Sequence, residues 1–294
     1  MTFEVFEVFL IVVGFVLGAC FGSFFNVVIY RLPKEESLIL PASHCMQCGE
    51  LIRWYDNIPI ISYFMLRGKC RECGAPFSVR YAIVELVTGI LFAMVVAKYA
   101  NLIVNLEFVD GELVAGKLSE GLGLMLFHLF FVGGLIVAAF IDIDHQIIPN
   151  EITFPGIPLG IIASTLLPVM QGQDSHLWGL LMSLISAIAC GGVLFLIGEI
   201  ATRILKKEAM GFGDVKLLAM LGAFIGWKLT GLCLFFASLT GAAVGITLIG
   251  LKKVEWQSRI PFGPYIVLGA LVSYFWGMRI LEWYLSLFRT AAAI

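Results

Sequence analysis

An α-helix rises about 1.5 Å per residue, so roughly 20 consecutive apolar residues carry it across a bilayer. This chain has eight apolar runs, at residues 5–30, 81–99, 121–141, 152–170, 178–200, 215–227, 229–251 and 261–285. In lipid every backbone N–H and C=O must be satisfied within the protein, which leaves helices as the solution for runs of this kind. The expected fold is therefore an all-α polytopic membrane protein with about eight transmembrane helices. The sixth run is short and carries Gly222 and Gly226, but fused with the seventh it would far exceed what a bilayer needs, so two crossings are expected. Composition agrees: 60% of residues are hydrophobic, only 14% are charged, and mean hydropathy is +0.97. Soluble domains are about 45–50% apolar and about 25% charged. A net charge of −2 without a clustered basic surface also excludes a nucleic-acid partner. Leu17-Gly18-Ala19-Cys20 resembles a lipid-attachment site only superficially. Glu4 and Glu7 stand where a signal peptide needs a basic flank, and the apolar run continues past Cys20.

Lys and Arg concentrate in the cytoplasmic loops of membrane proteins. With the N-terminus outside, the cytoplasmic segments are 31–80, 142–151, 201–213 and 252–260, holding thirteen of the nineteen basic residues. Lys98, Lys117, Lys228, Arg279 and Arg289 lie opposite, and Lys216 sits at a span end. Both termini are thus expected outside. The chain then divides into a first transmembrane helix (1–30), a cytoplasmic loop domain (31–80), a second helix with an external loop (81–120), and a six-helix membrane domain (121–290).

The 31–80 loop contains Cys45-Met46-Gln47-Cys48 and, 21 residues later, Cys70-Arg71-Glu72-Cys73. Each pair sets two thiolates on one tight turn, and Gly49 and Gly74 follow directly where the backbone must fold around an ion. Four thiolates complete a tetrahedral zinc shell with no open position, which makes zinc structural rather than catalytic. The competing arrangement is two disulfides, disfavoured in a reducing compartment. Cys20, Cys190 and Cys233 lie inside spans and read as small apolar core residues.

Ionisable residues within spans are costly and ask for a reason. Six carboxylates qualify: Glu85, Asp142, Asp144, Glu199, Asp214 and Glu282. Glu199 and Glu282 sit toward span ends, within reach of the headgroups. Asp142 ends span three and Asp214 begins span six, so the topology brings both to the cytoplasmic boundary although 71 residues separate them. Pro149 stops helical continuation after Asp142, and Gly211-Phe212-Gly213 precedes Asp214 with two residues that allow close backbone approach. Two carboxylates that share one proton can hydrolyse a peptide bond, one as base toward water and the other as acid toward the carbonyl. Equally open at this point is that they cap their helices or pair with Lys216 and His145.

These motifs together carry a resemblance. Gly22-Ser23-Phe24-Phe25-Asn26-Val27-Val28-Ile29-Tyr30-Arg31-Leu32-Pro33, the two Cys pairs, Ser78-Val79-Arg80-Tyr81 with Glu85 and Thr88-Gly89, the stretch Asp142 to Asn150, Gly211-Phe212-Gly213-Asp214-Val215-Lys216 and Ile260-Pro261-Phe262-Gly263-Pro264-Tyr265 occur in the order found in bacterial type IV prepilin peptidases. The chain resembles that family over most of its length. The resemblance implies an aspartic peptidase of the GxGD type with Asp142 and Asp214 as the catalytic pair. Asp144 is the rival for Asp142, which the resemblance favours because shorter family members keep the aspartate seven residues before the Pro, here Pro149. It further implies cleavage of a basic leader after a glycine in prepilins and pseudopilins. Methylation of the new N-terminal amine by S-adenosylmethionine would follow, in the bacterial inner membrane with the site at the cytoplasmic face. Members without the Cys-rich loop are peptidases only, so the loop and the Ser78 to Gly89 region are the expected surroundings of methyl transfer. The cofactor contacts and the oligomeric state stay open. Glu85 is a candidate contact or else a carboxylate paired with a basic loop residue, while Asn26 and Arg31 either bind substrate or fix the exit of span one. The alternative function is a zinc-stabilised transporter using the aspartates as ion or proton ligands. Such proteins place their ionisable groups near the midplane and often show an internal repeat.

Overall fold

The computed structural model of the chain describes residues 3–104, 108–109, 112–113, 115–206, 210–251 and 261–291. Lys207, Lys252, Lys253, Arg259 and Ile260 lie outside the described residues, as do the side chains of Glu4, Lys117 and Arg289. The helices are α1 (Phe3–Arg31), α2 (Ile61–Met65), α3 (Arg80–Val104), α4 (Ala115–His145), α5 (Asn150–Leu166), α6 (His176–Leu205), α7 (Phe212–Gly250) and α8 (Gly263–Ala291). A hairpin of two-residue strands, β1 (Phe108–Val109) and β2 (Glu112–Leu113), pairs Phe108 with Leu113 between α3 and α4. Six helices among the described residues are long and apolar enough to cross a membrane. The chain forms two compact units, residues 1–137 and 138–294, and α4 runs from one into the other.

In the first unit, α1 and α3 pack backbone against backbone because α1 presents a glycine every fourth residue. A Cβ on Gly14 would come within 2.7 Å of Val96, one on Gly18 within 2.6 Å of Phe92 and 2.7 Å of the Thr88 carbonyl oxygen, and one on Gly22 within 2.6 Å of Glu85 Cα. This small-residue stripe lets two helices approach closely where lipid offers no hydrophobic drive to associate. At its loop end, Asn26 donates to the Tyr81 carbonyl at 3.1 Å. The buried Arg31 guanidinium donates to the carbonyls of Ser37 and Pro41 at 2.9 and 2.7 Å. Both residues therefore fasten the exit of α1 to its surroundings. Deeper in the unit, the buried His128 stacks on Tyr99, with Nδ1 at 2.7 Å from the Leu124 carbonyl oxygen and 3.2 Å from the Tyr99 hydroxyl.

In the second unit α7 accounts for both the sixth and the seventh apolar runs. A straight helix of its 39 residues would be about 58 Å long, but its two arms lie along different neighbours and return to the same end. Along the first arm, Gly222 meets Ser186 and Gly191 meets Ala219, antiparallel to α6. Along the second, Gly277 meets Leu229, Gly269 meets Cys233 and Tyr265 meets Gly241, antiparallel to α8. The start of α8 is bound to Asp142 at the end of α4, and the start of α7 meets Ile148 and Asn150 just beyond that end. The chain must therefore reverse, and it does so at Gly226, whose φ of 76° and ψ of 165° break the helix. A side chain there would adopt a left-handed φ and meet Gln171 Oε1 at 2.9 Å.

The backbone groups freed by the break find partners, as an apolar medium requires. The Ala223 carbonyl accepts from Ser164, Ser183 and Gln171 at 2.8–2.9 Å, and the Trp227 amide donates to Ser186 at 3.2 Å. With α7 divided, its two arms and α1, α3, α4, α5, α6 and α8 match the eight runs. α5 ends at Leu166, earlier than its run, because Leu167 turns to φ −125° ahead of Pro168.

Candidate functional site

The four loop cysteines converge. All four sulfur atoms lie within 4.8 Å of one another, with Cys45 and Cys73 at 3.8 Å. A tetrahedral ion at about 2.3 Å from each sulfur sets them about 3.8 Å apart, whereas a disulfide needs about 2.05 Å. The two knuckles are the same turn built twice, 25 residues apart. Cys45 N–H donates to the Glu50 carbonyl and Cys70 N–H to that of Ala75, both at 2.8 Å. Gly49 and Gly74 close the turns onto Cys45 and Cys70 with φ of 73° and 69°. Ile52 pairs back to Ser43, and Phe77 to Gly68, at 2.9 Å each. Positive φ at the fifth residue of each turn is why glycine follows both Cys pairs.

The second knuckle's own inter-cysteine residues clamp the connecting segment. Arg71 holds Asp56 through Nε at 2.8 Å, and Glu72 takes Arg53 at 2.8 Å. The Arg71 hydrogen bond keeps the Asp56 carboxyl below its ordinary value. Backbone amides of Cys48 and Gln47 pointing at the Cys45 sulfur lower that thiol to about 6. At Cys48 the Glu50 amide pulls the same way, but desolvation and the neighbouring thiols outweigh it and push the value up to about 12. Thiols this crowded ionise together only around a cation, so geometry and donor set both fit a metal shell.

Glu85 lies on the second turn of α3 and is buried. Its Oε2 accepts the Ile60 amide at 2.7 Å, and the Ser23 hydroxyl is a second partner. The loop enters α2 through Ile60 at φ 64° and ψ −54°, a conformation that a β-branched residue adopts only under constraint, and the carboxylate supplies that constraint. Its partners are thus a backbone amide and a hydroxyl rather than a basic side chain.

The aspartates occupy the ends of helices in the second unit. Asp142 is buried near the C-terminus of α4, whose last turn closes with Gln146 in the left-handed region and donating to the Asp142 carbonyl at 2.9 Å. Asp142 Oδ2 accepts the Gly263 amide at 2.9 Å. A Cβ on Gly263 would stand 2.6 Å from that oxygen, so only glycine lets the start of α8 lie against the carboxylate. Asp214 sits in the first turn of α7. Gly213 allows that turn to press on Ile148, where a Cβ would come within 3.0 Å.

Asp144, two residues beyond Asp142, is exposed. Lys216 binds the Asn150 side chain and lies over the Phe154 and Phe212 rings, at 5.1 and 5.5 Å. It ties the start of α5 to α7. Glu199 pairs with Arg203 at 2.9 Å on α6, and Glu282 is exposed on α8. Gly263, present in the sequence as part of Pro261-Phe262-Gly263-Pro264, is the contact that sequence reading left without a role. Its signal was a glycine between two prolines at a span start.

A family model described as "Bacterial Peptidase A24 N-terminal domain" matches residues 16–99, and one described as "Type IV leader peptidase family" matches residues 129–246. A protein of Stutzerimonas stutzeri named prepilin leader peptidase/N-methyltransferase is 34% identical over 93% of this chain and 93% of its own length. One of the same name from Pseudomonas aeruginosa is 33% identical over 92% of this chain and 91% of its own length. Another from Myxococcus xanthus is 39% identical over 80% of this chain, and the match spans 62% of that relative. No solved structure matches.

Proposed function

The chain belongs to the type IV leader peptidase family, and on that premise we propose that it removes the leader from prepilins and then N-methylates the new N-terminus, with Asp142 and Asp214 as the hydrolytic pair. The observation that supports the pair is that Asp142, buried and oriented by the Gly263 amide, ends α4 just before Ile148 and Asn150, the two residues that Gly213 and Lys216 at the start of α7 meet. Two like charges in a partly dehydrated site hold one proton between them. One carboxylate takes a proton from the attacking water while the other donates to the scissile carbonyl oxygen. The carboxylate that took the water proton then passes it to the leaving nitrogen, the C–N bond breaks, and the other carboxylate recovers its proton from a hydroxyl of the adduct, releasing the mature N-terminal amine and the leader's new carboxyl group. Gly263 N–H holds Asp142 Oδ2 and so sets the orientation of the carboxylate, and the glycines before Asp214 leave room for an extended peptide.

The helix-end position of both aspartates favours this reading over an ion or proton carrier, which needs its carboxylates near the midplane. The multi-pass helices and the basic bias of the 31–80 loop support an inner-membrane location with the site at the cytoplasmic face, where a basic leader is retained. Prepilins or pseudopilins and the bilayer are then its partners. Cys45, Cys48, Cys70 and Cys73 would hold one structural zinc ion. S-adenosylmethionine supplies the methyl group, and the loop unit with the Ser78 to Gly89 segment is where this chain would receive it. The decisive experiment incubates the protein, reconstituted in liposomes, with a prepilin bearing a basic leader and S-adenosylmethionine, followed by mass spectrometry. Loss of the leader and a gain of one methyl group is the expected product. Intact prepilin would overturn the peptidase reading, and leader loss without the methyl mass would overturn the second activity.

A further inference from the structure

We propose that α2 is an interfacial membrane anchor, with Ile61, Phe64 and Met65 entering the headgroup and acyl boundary of the lipid leaflet on the loop's side, fastened at that depth by Glu85. The inference rests only on the chain being a multi-pass membrane protein. Ile61, Phe64 and Met65 are spaced i, i+3 and i+4, so they share one face of the helix, and they are 56%, 70% and 73% exposed. The other face is already taken: the Ser62 hydroxyl donates to the Tyr55 carbonyl at 3.1 Å, and the Tyr63 ring meets Phe77 at 5.5 Å and closes on Gly68. Trp54, 81% exposed, lies beside the Tyr55 carbonyl that binds Ser62, and an aromatic side chain of this kind favours the membrane interface.

Depth is set by attachment. The Ile60 amide is bound to Glu85, five residues into α3 from Arg80 and so about 7–8 Å along the helix axis. Interfacial helices bury their apolar face by about 5–10 Å, which matches. Charge is placed to suit, since α2 carries none, while Arg67 and Lys69 follow within four residues and are exposed, free to meet anionic headgroups. The segment is tethered at both ends to helices that expose long apolar faces, as α1 does at Val12, Val16, Phe21 and Phe24. Lipid is therefore the occupant this face meets without any encounter step, ahead of a second copy of the chain or the apolar helix of a substrate.

The test incorporates the photo-crosslinker p-benzoylphenylalanine in place of Phe64 in the full-length protein. The protein is held in nanodiscs of phosphatidylethanolamine and phosphatidylglycerol, irradiated with and without prepilin, and read by mass spectrometry. The expected product carries the mass of one phospholipid, with equal yield in both conditions. A prepilin adduct, a crosslinked dimer, or no adduct at all would each overturn the assignment. Combining the crosslinker with Glu85→Ala should lower the lipid-adduct yield severalfold in a protein that still purifies in the same nanodiscs. An unchanged yield would show that Glu85 does not set the depth.

Discussion

The cysteine cluster and the aspartate site solve the same problem, holding like-charged groups together, by opposite means. Each cysteine knuckle is complete within about five residues, is repeated with the same hydrogen bonds 25 residues later, and stands at the exposed or half-exposed surface of the loop. The aspartate site has no local structure of its own. Its parts come from the end of α4, the start of α7 and the start of α8, and the hydrogen-bond donor Gly263 stands 121 positions after Asp142 in the chain. A site of the first kind is specified by spacing, and one of the second kind by the packing of helices whose termini happen to coincide. The cluster should therefore tolerate changes in the membrane helices, and the aspartate site should fail when one helix end is moved by an ångström.

The largest expected effect is at the carboxylates. Asp142→Asn or Asp214→Asn should lower prepilin cleavage by about 10²–10⁴-fold, the usual worth of general acid–base catalysis, measured on protein that inserts and purifies as the parent does. Retained cleavage in Asp142→Asn, with loss in Asp144→Asn, would move the pair to the exposed carboxylate. Gly263→Ala comes next, because its Cβ would stand 2.6 Å from Asp142 Oδ2. Displacement on that scale costs about 10²-fold in positioned chemistry, and methylation of an already cleaved pilin should persist, which a reconstitution with mature substrate reads directly.

Cys45→Ser sharpens the comparison from the other side. Metal analysis should find one zinc ion per chain in the parent and none in the variant, with methylation lost while cleavage stays within a few-fold of the parent. Equal loss of both activities would show that the two regions are not separable. The smallest effect belongs to Ser186→Ala, which removes the partner of the Trp227 amide at the α7 reversal. Interhelical hydrogen bonds in membranes are worth about 0.6 kcal/mol on average, so a loss of stability of that order in a denaturant titration is expected, without loss of activity.

The cysteine shell could be read from spacing because its ligands, turns and glycines are local in sequence. For the aspartates, spacing and the topology of alternate crossings gave a common depth, which is a one-dimensional quantity. Lateral contact needed the helices to be packed. The reversal at Gly226 follows the same rule: the length of the apolar run demanded two crossings, and the packing against α6 and α8 located the turn and its polar partners. The α1–α3 glycine stripe, Gly14, Gly18 and Gly22, was recognised only in the structure, because a four-residue period of glycines has no meaning without the partner helix. Glu85 shows the limit most clearly. Its presence in a span marked it as unusual, but an amide from a loop 25 residues earlier is not a partner that charge or periodicity can name.

By itself, then, the sequence determined that this chain is a helical membrane protein and that four cysteines form a metal-type cluster, while its basic loops supplied an expected orientation. Those properties depend on composition and on near neighbours, where the cost of burying a charge in lipid and the geometry of a tight turn act residue by residue. Only the tertiary structure decided which helix ends meet, that Gly263 rather than a charged side chain holds Asp142, and that α2 is held with its apolar face uncovered. Those outcomes depend on close packing between segments far apart in the chain, where fractions of an ångström at a glycine settle which backbone can approach which carboxylate.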